Sequence, residues 1–300
     1  MAEQATRPRA SFDCLWCGRS WTTRSPDDLE GWAQLCPDCL GKAGENPFLK
    51  FRLRDAITAR GASGRAATPP EEPADATTDS MVAYYEARAT EYDDWYLRRG
   101  RYERGPIHDA AWNAELDGAG TWLDAVPFQG EIVELAAGTG WWSPLLASKG
   151  ELWLYDAAEA PLERARERLV AHRLRAHIHL RDAWAEPDRQ VDGVFCGFWL
   201  SHVERERTAA FLALVGRWLK PGGRFAFIDS LPDAYSSAVD HPQPANDTSI
   251  RRLDDGREFT IVKVYRDPPE LETTLRAAGF DDVQVTTTGR FFVLGSASAT

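Results

Sequence analysis

The chain has 300 residues, 43% of them hydrophobic, enough to bury one full core and leave length for a second, small module. Its formal net charge of -11 and pI near 5.1 argue against wholesale binding of nucleic acid or an anionic membrane, whose phosphates need a basic surface. The N-terminal "MAEQATRPRASFDC" has no apolar signal core, and no run approaches the roughly 18 apolar residues that span a bilayer, so a soluble cytoplasmic protein is expected.

Four of the five cysteines come first, as Cys14-x2-Cys17 and Cys36-x2-Cys39 with 18 residues between the pairs. This is the spacing of two thiolate knuckles closing on one tetrahedral zinc. A pair of disulfides is the alternative, but nothing signals an oxidising compartment. Gly18 and Pro37 suit the tight turns that bring backbone amides towards the sulfurs. Four ligands leave no open position, so the expected Zn2+ is structural. After this zinc-ribbon-like module, "PFLKFRLRDAITAR" (47–60) alternates apolar and basic residues at helical spacing and predicts one short helix. The segment 61–80, rich in Pro, Ala, Gly, Ser and Thr, is too poor in large apolar groups to pack and reads as a flexible linker.

From Met81 the chain is crowded with Tyr and Trp, and 81–300 is expected to form one domain. "MVAYYEARATEYDDWYLRRGRYERG" suggests an amphipathic helix, with a second helix near Gly105 to Val126. Beyond Gly130, strands and helices alternate strictly. "EIVELAA", "LWLYD", "HIHLRD", "VDGVFCGFWL" and "GRFAFIDS" read as strands, and "WWSPLLASKG", "APLERARERLVAH" and "RERTAAFLALVGRWLK" as helices. Such alternation implies an α/β, doubly wound, mostly parallel sheet covered by helices on both faces. Sheets of this kind bind ligands beyond the carboxyl ends of their strands, at the switch point. "RRLDDGREFTIVKVY" reads as a hairpin around Asp255-Gly256.

The first strand runs into "ELAAGTGWW" (134–142), small residues and glycines that let the backbone approach a ligand closely. Dinucleotides and the sulfonium nucleoside S-adenosylmethionine both use such turns. The dinucleotide pattern wants a third glycine or alanine, where this chain offers Ser143 or Trp141, depending on register. The stretch resembles instead motif I of the class I S-adenosylmethionine-dependent methyltransferases, an acidic residue followed by Gly-x-Gly-x-Gly, with Ala136 in place of the first glycine. Further pieces follow in that family's order: "LYD", "RDAW", "VDGVFCGFWLSHV", "LKPGGRFAFID" and the closing "LETTLRAAGFDDVQVTTTGRFFVLG". The resemblance covers about 81–295 and implies a seven-stranded sheet whose last strand pair is antiparallel.

For individual residues, the resemblance implies that Asp156 accepts both ribose hydroxyls, a bidentate arrangement suited to a carboxylate. Asp182 and Ala183 would hold adenine, with Trp184 as a stacking wall. Glu134 would orient the methionyl ammonium, and Ala136, Gly138 and Gly140 would supply close backbone. Tyr85 and Tyr92 would belong to a lid that folds over the cofactor and excludes water. Cys196, in an apolar strand, is expected in the core or in the wall of the cofactor pocket. Of the paired tryptophans, one is expected in the core and the other, Trp141, at the cofactor or acceptor pocket.

His202, in "GFWLSHV" after the fourth strand, stands near where the methyl would emerge and is the candidate general base. Segment 231–250 is rich in loop formers and is expected to build the acceptor site. The many aromatic residues favour a small, partly aromatic or apolar acceptor, methylated on oxygen, nitrogen or carbon. Rival readings are a methyltransferase of RNA or protein, with the zinc module as a docking element for that partner, and a non-catalytic protein that binds the cofactor. The acidic total weighs against nucleic acid.

Because the linker separates the modules, chelation or Cys36→Ala should unfold residues 1–45 yet leave S-adenosylmethionine affinity within about threefold. Circular dichroism with parallel calorimetry checks this, and complete loss of cofactor binding would show the module to be integral to the fold.

Overall fold

The computed structural model describes residues 11–13, 19–22, 76–242 and 247–300. The chain divides into two compact units, 1–72 and 73–300. In the first, β1 (Ser11–Asp13) and β2 (Ser20–Thr22) pair antiparallel, with Phe12 opposite Trp21. Cys14, Cys17, Cys36, Cys39 and the helix expected over 47–60 lie outside the described residues.

The second unit begins with α1 (Ala76–Arg88), which starts inside the stretch read as linker, and α2 (Tyr92–Leu97). One amphipathic helix was expected here. A turn between Arg88 and Tyr92 divides it and directs Trp95 edge-on against Phe198, with ring centroids 4.7 Å apart. Next comes α3 (Pro106–Ala125), opened by Gly105 at φ +88° and by Pro106, whose missing N–H is no loss in a first turn.

Strands and helices then alternate: β3 (Glu131–Leu135), α4 (Ser143–Ala147), β4 (Glu151–Asp156), α5 (Glu159–Ala171), β5 (His177–Leu180), β6 (Val191–Gly197), α6 (Thr208–Trp218) and β7 (Leu219–Ser230). A hairpin of β8 (Thr248–Arg252) and β9 (Glu258–Val262) stands apart as its own antiparallel pair. The chain closes with α7 (Pro268–Ala277), capped by the Asp267 carboxylate on the Glu270 N–H, then β10 (Phe280–Thr287) and β11 (Phe292–Ala299).

The main sheet has the order β10-β11-β7-β6-β3-β4-β5. The pairs from β5 to β7 are parallel, and the two pairs that involve β11 are antiparallel, as expected. The central strands β3, β6 and β7 bury both faces over most of their length, as central parallel strands do. At the edge, β5 is only four residues long and largely exposed, which limits pairing with other chains. One face packs on Trp112, Leu116, Leu123 and Leu162, the other on Phe211, Leu212, Trp218 and Leu275. The chain runs outward from β3 through β4 to β5 and then crosses back to β6 on the other side of β3, so a crevice opens at the carboxyl ends of β3 and β6.

The turn after β3 is held by close packing. Gly140 has φ +69°, and a Cβ added there would meet the Ala165 Cβ at 2.8 Å and its Cα at 3.0 Å. Gly140→Ala should therefore destabilise the domain by about 2 to 4 kcal/mol, combining left-handed strain with overpacking against α5. Urea titration measures this, and a loss below about 0.5 kcal/mol would mean that turn and helix separate at little cost.

Candidate functional site

Two cavities meet at this crevice. The first, of about 590 Å³, lies over the β3 turn and is lined by Ala136, Gly138, Asp156, Asp182 and Ala183, with Tyr85 and Tyr92 from the opposite side. Its backbone is left-handed at both Ala136 (φ +52°) and Gly138 (φ +56°). An L-alanine in that region costs roughly 1 to 2 kcal/mol, so the departure from glycine keeps the turn's conformation and adds strain at the cavity wall.

Asp156 ends β4 with its carboxylate held by two amides, Gly138 N–H to Oδ2 and Ala158 N–H to Oδ1, both at 2.8 Å. Each oxygen keeps capacity for a further donor. Burial raises this carboxyl to about 6, against the pull of those amides. Asp182 accepts the Trp184 N–H at 2.7 Å, which fixes the turn that carries Ala183 into the cavity.

The structure sets the other expected cofactor residues farther back. Glu134 is fully buried and accepts a 2.5 Å hydrogen bond from the Ser143 hydroxyl, and burial pushes its carboxyl up to about 8. Gly140 packs on α5. Trp184 stands edge-on to Phe211 with Arg207 over its ring, and Cys196 lies in the core layer around Val194 and Phe227. None of these four lines either cavity. Trp142 is buried, while Trp141 stacks face to face on Tyr96 at 4.1 Å. It thus fastens α2 to the turn and does not border a cavity. Asp93 completes that fastening: it accepts from the Thr139 hydroxyl at 2.7 Å and pairs with Arg168 of α5.

The second cavity, of about 520 Å³, lies beneath α1 and α2 and against the hairpin. Segment 231–250, expected to build the acceptor site, contributes Ser236, Ser237 and His241 to it. The two cavities share Tyr85, Tyr92, Phe198 and His202. His202 Nδ1 lies 2.7 Å from the Val262 carbonyl, and Nε2 lies 2.7 Å from the Tyr85 hydroxyl. A carbonyl only accepts, so Nδ1 carries the proton, and Nε2 receives the Tyr85 O–H. Burial, then the nearby Lys263 charge, keeps His202 well below its ordinary pKa and therefore neutral.

Arg88, Arg251 and Lys263 also line the second cavity, and sequence patterning alone did not mark them. A usable signal was present: in β8 the inward positions alternate as Ser249 and Arg251, a charge on the covered face.

Comparison with known proteins agrees with this geometry. A family model described as a methyltransferase domain matches residues 132–223. A structure of DhpI with SAH is 31% identical over 74% of this chain and 96% of that one, with a TM-score of 0.58. A DhpI-SAM-HEP complex is 29% identical over 75% and 98%, with a TM-score of 0.60. The fold is also that of 1,6-didemethyltoxoflavin-N1-methyltransferase from Burkholderia thailandensis, 16% identical over 79% and 96%, with a TM-score of 0.50. No curated protein matches the chain.

The Glu134 pKa sets a pH dependence. Its folded value of about 8 exceeds the ordinary 4.5, so its contribution to stability is present below 4.5 and lost as pH rises towards 8. Glu134→Gln keeps an acceptor for Ser143 and cannot ionise. Relative to the wild type, it should gain roughly 2 to 5 kcal/mol between pH 5 and pH 8 in unfolding experiments without cofactor. A pH-independent difference would show Glu134 to be ionised in the fold.

Proposed function

Because the chain belongs to the class I S-adenosylmethionine-dependent methyltransferase family, we propose that it moves a methyl group to an oxygen, nitrogen or carbon atom of a small molecule held in the second cavity. The observation that carries this reading is the shared wall of Tyr85, Tyr92, Phe198 and His202, which puts a second cavity, open in part to solvent, directly beside the cofactor crevice.

The residues fit the cofactor. The left-handed turn brings backbone within reach, a Cβ added at Gly138 would meet the Tyr92 hydroxyl at 3.5 Å, and Asp156 offers two oxygens at the mouth. Asp156 would take the ribose hydroxyls, Asp182 and Ala183 the adenine, and Ala136 and Gly138 the aminocarboxypropyl part. Glu134 lies beneath that turn and would act on the ammonium end through it or through water. When bound, S-adenosylmethionine supplies an electrophilic methyl group on sulfur. Tyr85 and Tyr92 cover the site and keep water from it. The Tyr85 hydroxyl touches the acceptor, and His202 Nε2 is where an acceptor's proton would go, by way of that hydroxyl.

Aromatic walls, among them Tyr84, Trp95 and Tyr102, favour a small, partly aromatic or apolar framework over a macromolecule. In the N-terminal unit, the four-cysteine spacing supports a structural zinc, with docking of a protein partner as its role.

Calorimetric titration tests the cofactor. S-adenosylmethionine should bind with micromolar affinity and NADH should not, and Asp156→Ala should weaken binding about 10- to 100-fold by removing hydrogen bonds to a charged group. A preference for NADH would overturn the reading. If the cofactor binds but no small molecule from a metabolite extract is methylated, the non-catalytic alternative is favoured.

A further inference from the structure

The second cavity holds more positive charge than its surroundings balance. Arg88, Arg251 and Lys263 are 9%, 9% and 7% exposed, and no Asp or Glu is among the residues that line the cavity. This is unexpected in a chain with a net charge of -11. Burying cations with too little counter-charge is costly, and ordinary packing would not gather three of them around one carboxylate, Asp229 near Lys263.

Their partners are weak or neutral. Arg88 is surrounded by the rings of Tyr84, Tyr92 and Tyr102 and donates one long bond, 3.3 Å, to the Tyr102 hydroxyl. Its buried Nε has no partner. Among the described residues Arg251 reaches only the His241 ring, at 3.4 Å, and burial holds that histidine at about 4, hence neutral. Lys263 donates to the hydroxyls of Ser201 (2.8 Å) and Ser230 (3.3 Å). The carboxylate nearest it, Asp229, is 3.9 Å away and already accepts the N–H groups of Ser201 and Ser230. Lys263 is lowered to about 8, by burial first and then, against the attraction of Asp229, by repulsion from Arg251 and Arg88.

Resting on the methyltransferase reading above, we propose that the methyl acceptor is a small acid, and that Arg88, Arg251 and Lys263 grip its oxyanion, a phosphoryl group or a carboxylate. The cations come from two sides: Arg88 from α1, and Arg251 and Lys263 from β8 and the residue after β9. An oxyanion between them accepts charge-assisted hydrogen bonds from both and closes the cap onto the hairpin. The rest of the acceptor then extends to the wall of Tyr85 and His202, beside the cofactor crevice. Burial is the main reason that His202 resists a proton, and the same negative charge offsets the second, the repulsion from Lys263, Arg251 and Arg88, so basicity rises where the acceptor is bound.

The test uses the full-length protein, with inorganic phosphate and acetate as probes at constant ionic strength. Both are titrated by calorimetry and by thermal shift, with and without S-adenosylhomocysteine. Phosphate should bind the wild type and raise its melting temperature, and Arg251→Met and Lys263→Met should each weaken binding about 10- to 100-fold. S-adenosylhomocysteine affinity in these variants should stay within about threefold, which shows that they fold. Without anion, Arg251→Met should melt no lower than the wild type, because it removes a buried cation that repels Lys263. Binding of acetate but not phosphate would assign the oxyanion as a carboxylate. If the wild type binds S-adenosylhomocysteine but neither anion, or if the variants hold anion as tightly as the wild type, the proposal fails. Failure to bind S-adenosylhomocysteine at all would instead remove the methyltransferase reading.

Discussion

The left-handed backbone of the turn after β3 is the constraint around which the domain is arranged. With positive φ at Ala136, Gly138 and Gly140, the chain leaves β3, opens a crevice and still reaches α5 closely enough to pack on Ala165. Asp156 clamps the turn from the neighbouring strand through the Gly138 amide, so the residue at the cavity mouth also holds its floor in shape. Strain at Ala136 is tolerated because parallel pairing of β3 on both sides fixes the chain entering the turn.

Over this floor the cap is attached at a few specific points. Trp141 stacks on Tyr96, and Asp93 joins Thr139 and Arg168. Trp95, Trp112, Phe198 and Phe292 form an edge-to-face cluster that binds α2 and α3 to the sheet. On the other side, α1 packs through Tyr84 and Met81 against Ile261 and Val264 of the hairpin segment. The second cavity therefore has walls from four separate parts of the chain, 84–102, 198–202, 230–241 and 251–265, and two of them carry its charge. Buried Arg266, by contrast, has its guanidinium held by the Leu200 and Val203 carbonyls and the Thr208 hydroxyl. Against that background, the cations of the cavity stand out as poorly balanced.

Neutral and charged groups have distinct tasks at this site. Depth in the protein keeps His202, Tyr85 and His241 uncharged, so they direct hydrogen bonds without adding to the field. Arg88 keeps its charge despite burial, because a guanidinium does not shed its proton in proteins. Lys263 sits near its titration range, which makes it the cation most responsive to an arriving anion.

By itself, the sequence determined the alternation of strands and helices, the place of the glycine turn and the acidic residues that end β4 and follow β5. Each follows from local patterning: apolar runs for buried strands, small residues where backbone must approach, a carboxylate at a fixed distance along the chain. The hairpin around Asp255-Gly256 was legible for the same reason. Tertiary structure decided which side chains face a cavity. Glu134, Gly140, Trp184 and Cys196 belong to the same segments as the lining residues yet turn towards the core, a difference that strand pleat and turn geometry set and motif spacing does not reveal. It also decided the meeting of Arg88 with Arg251 and Lys263, more than 160 positions apart in the chain. No local pattern encodes that encounter, because it depends on how α1 folds over the hairpin.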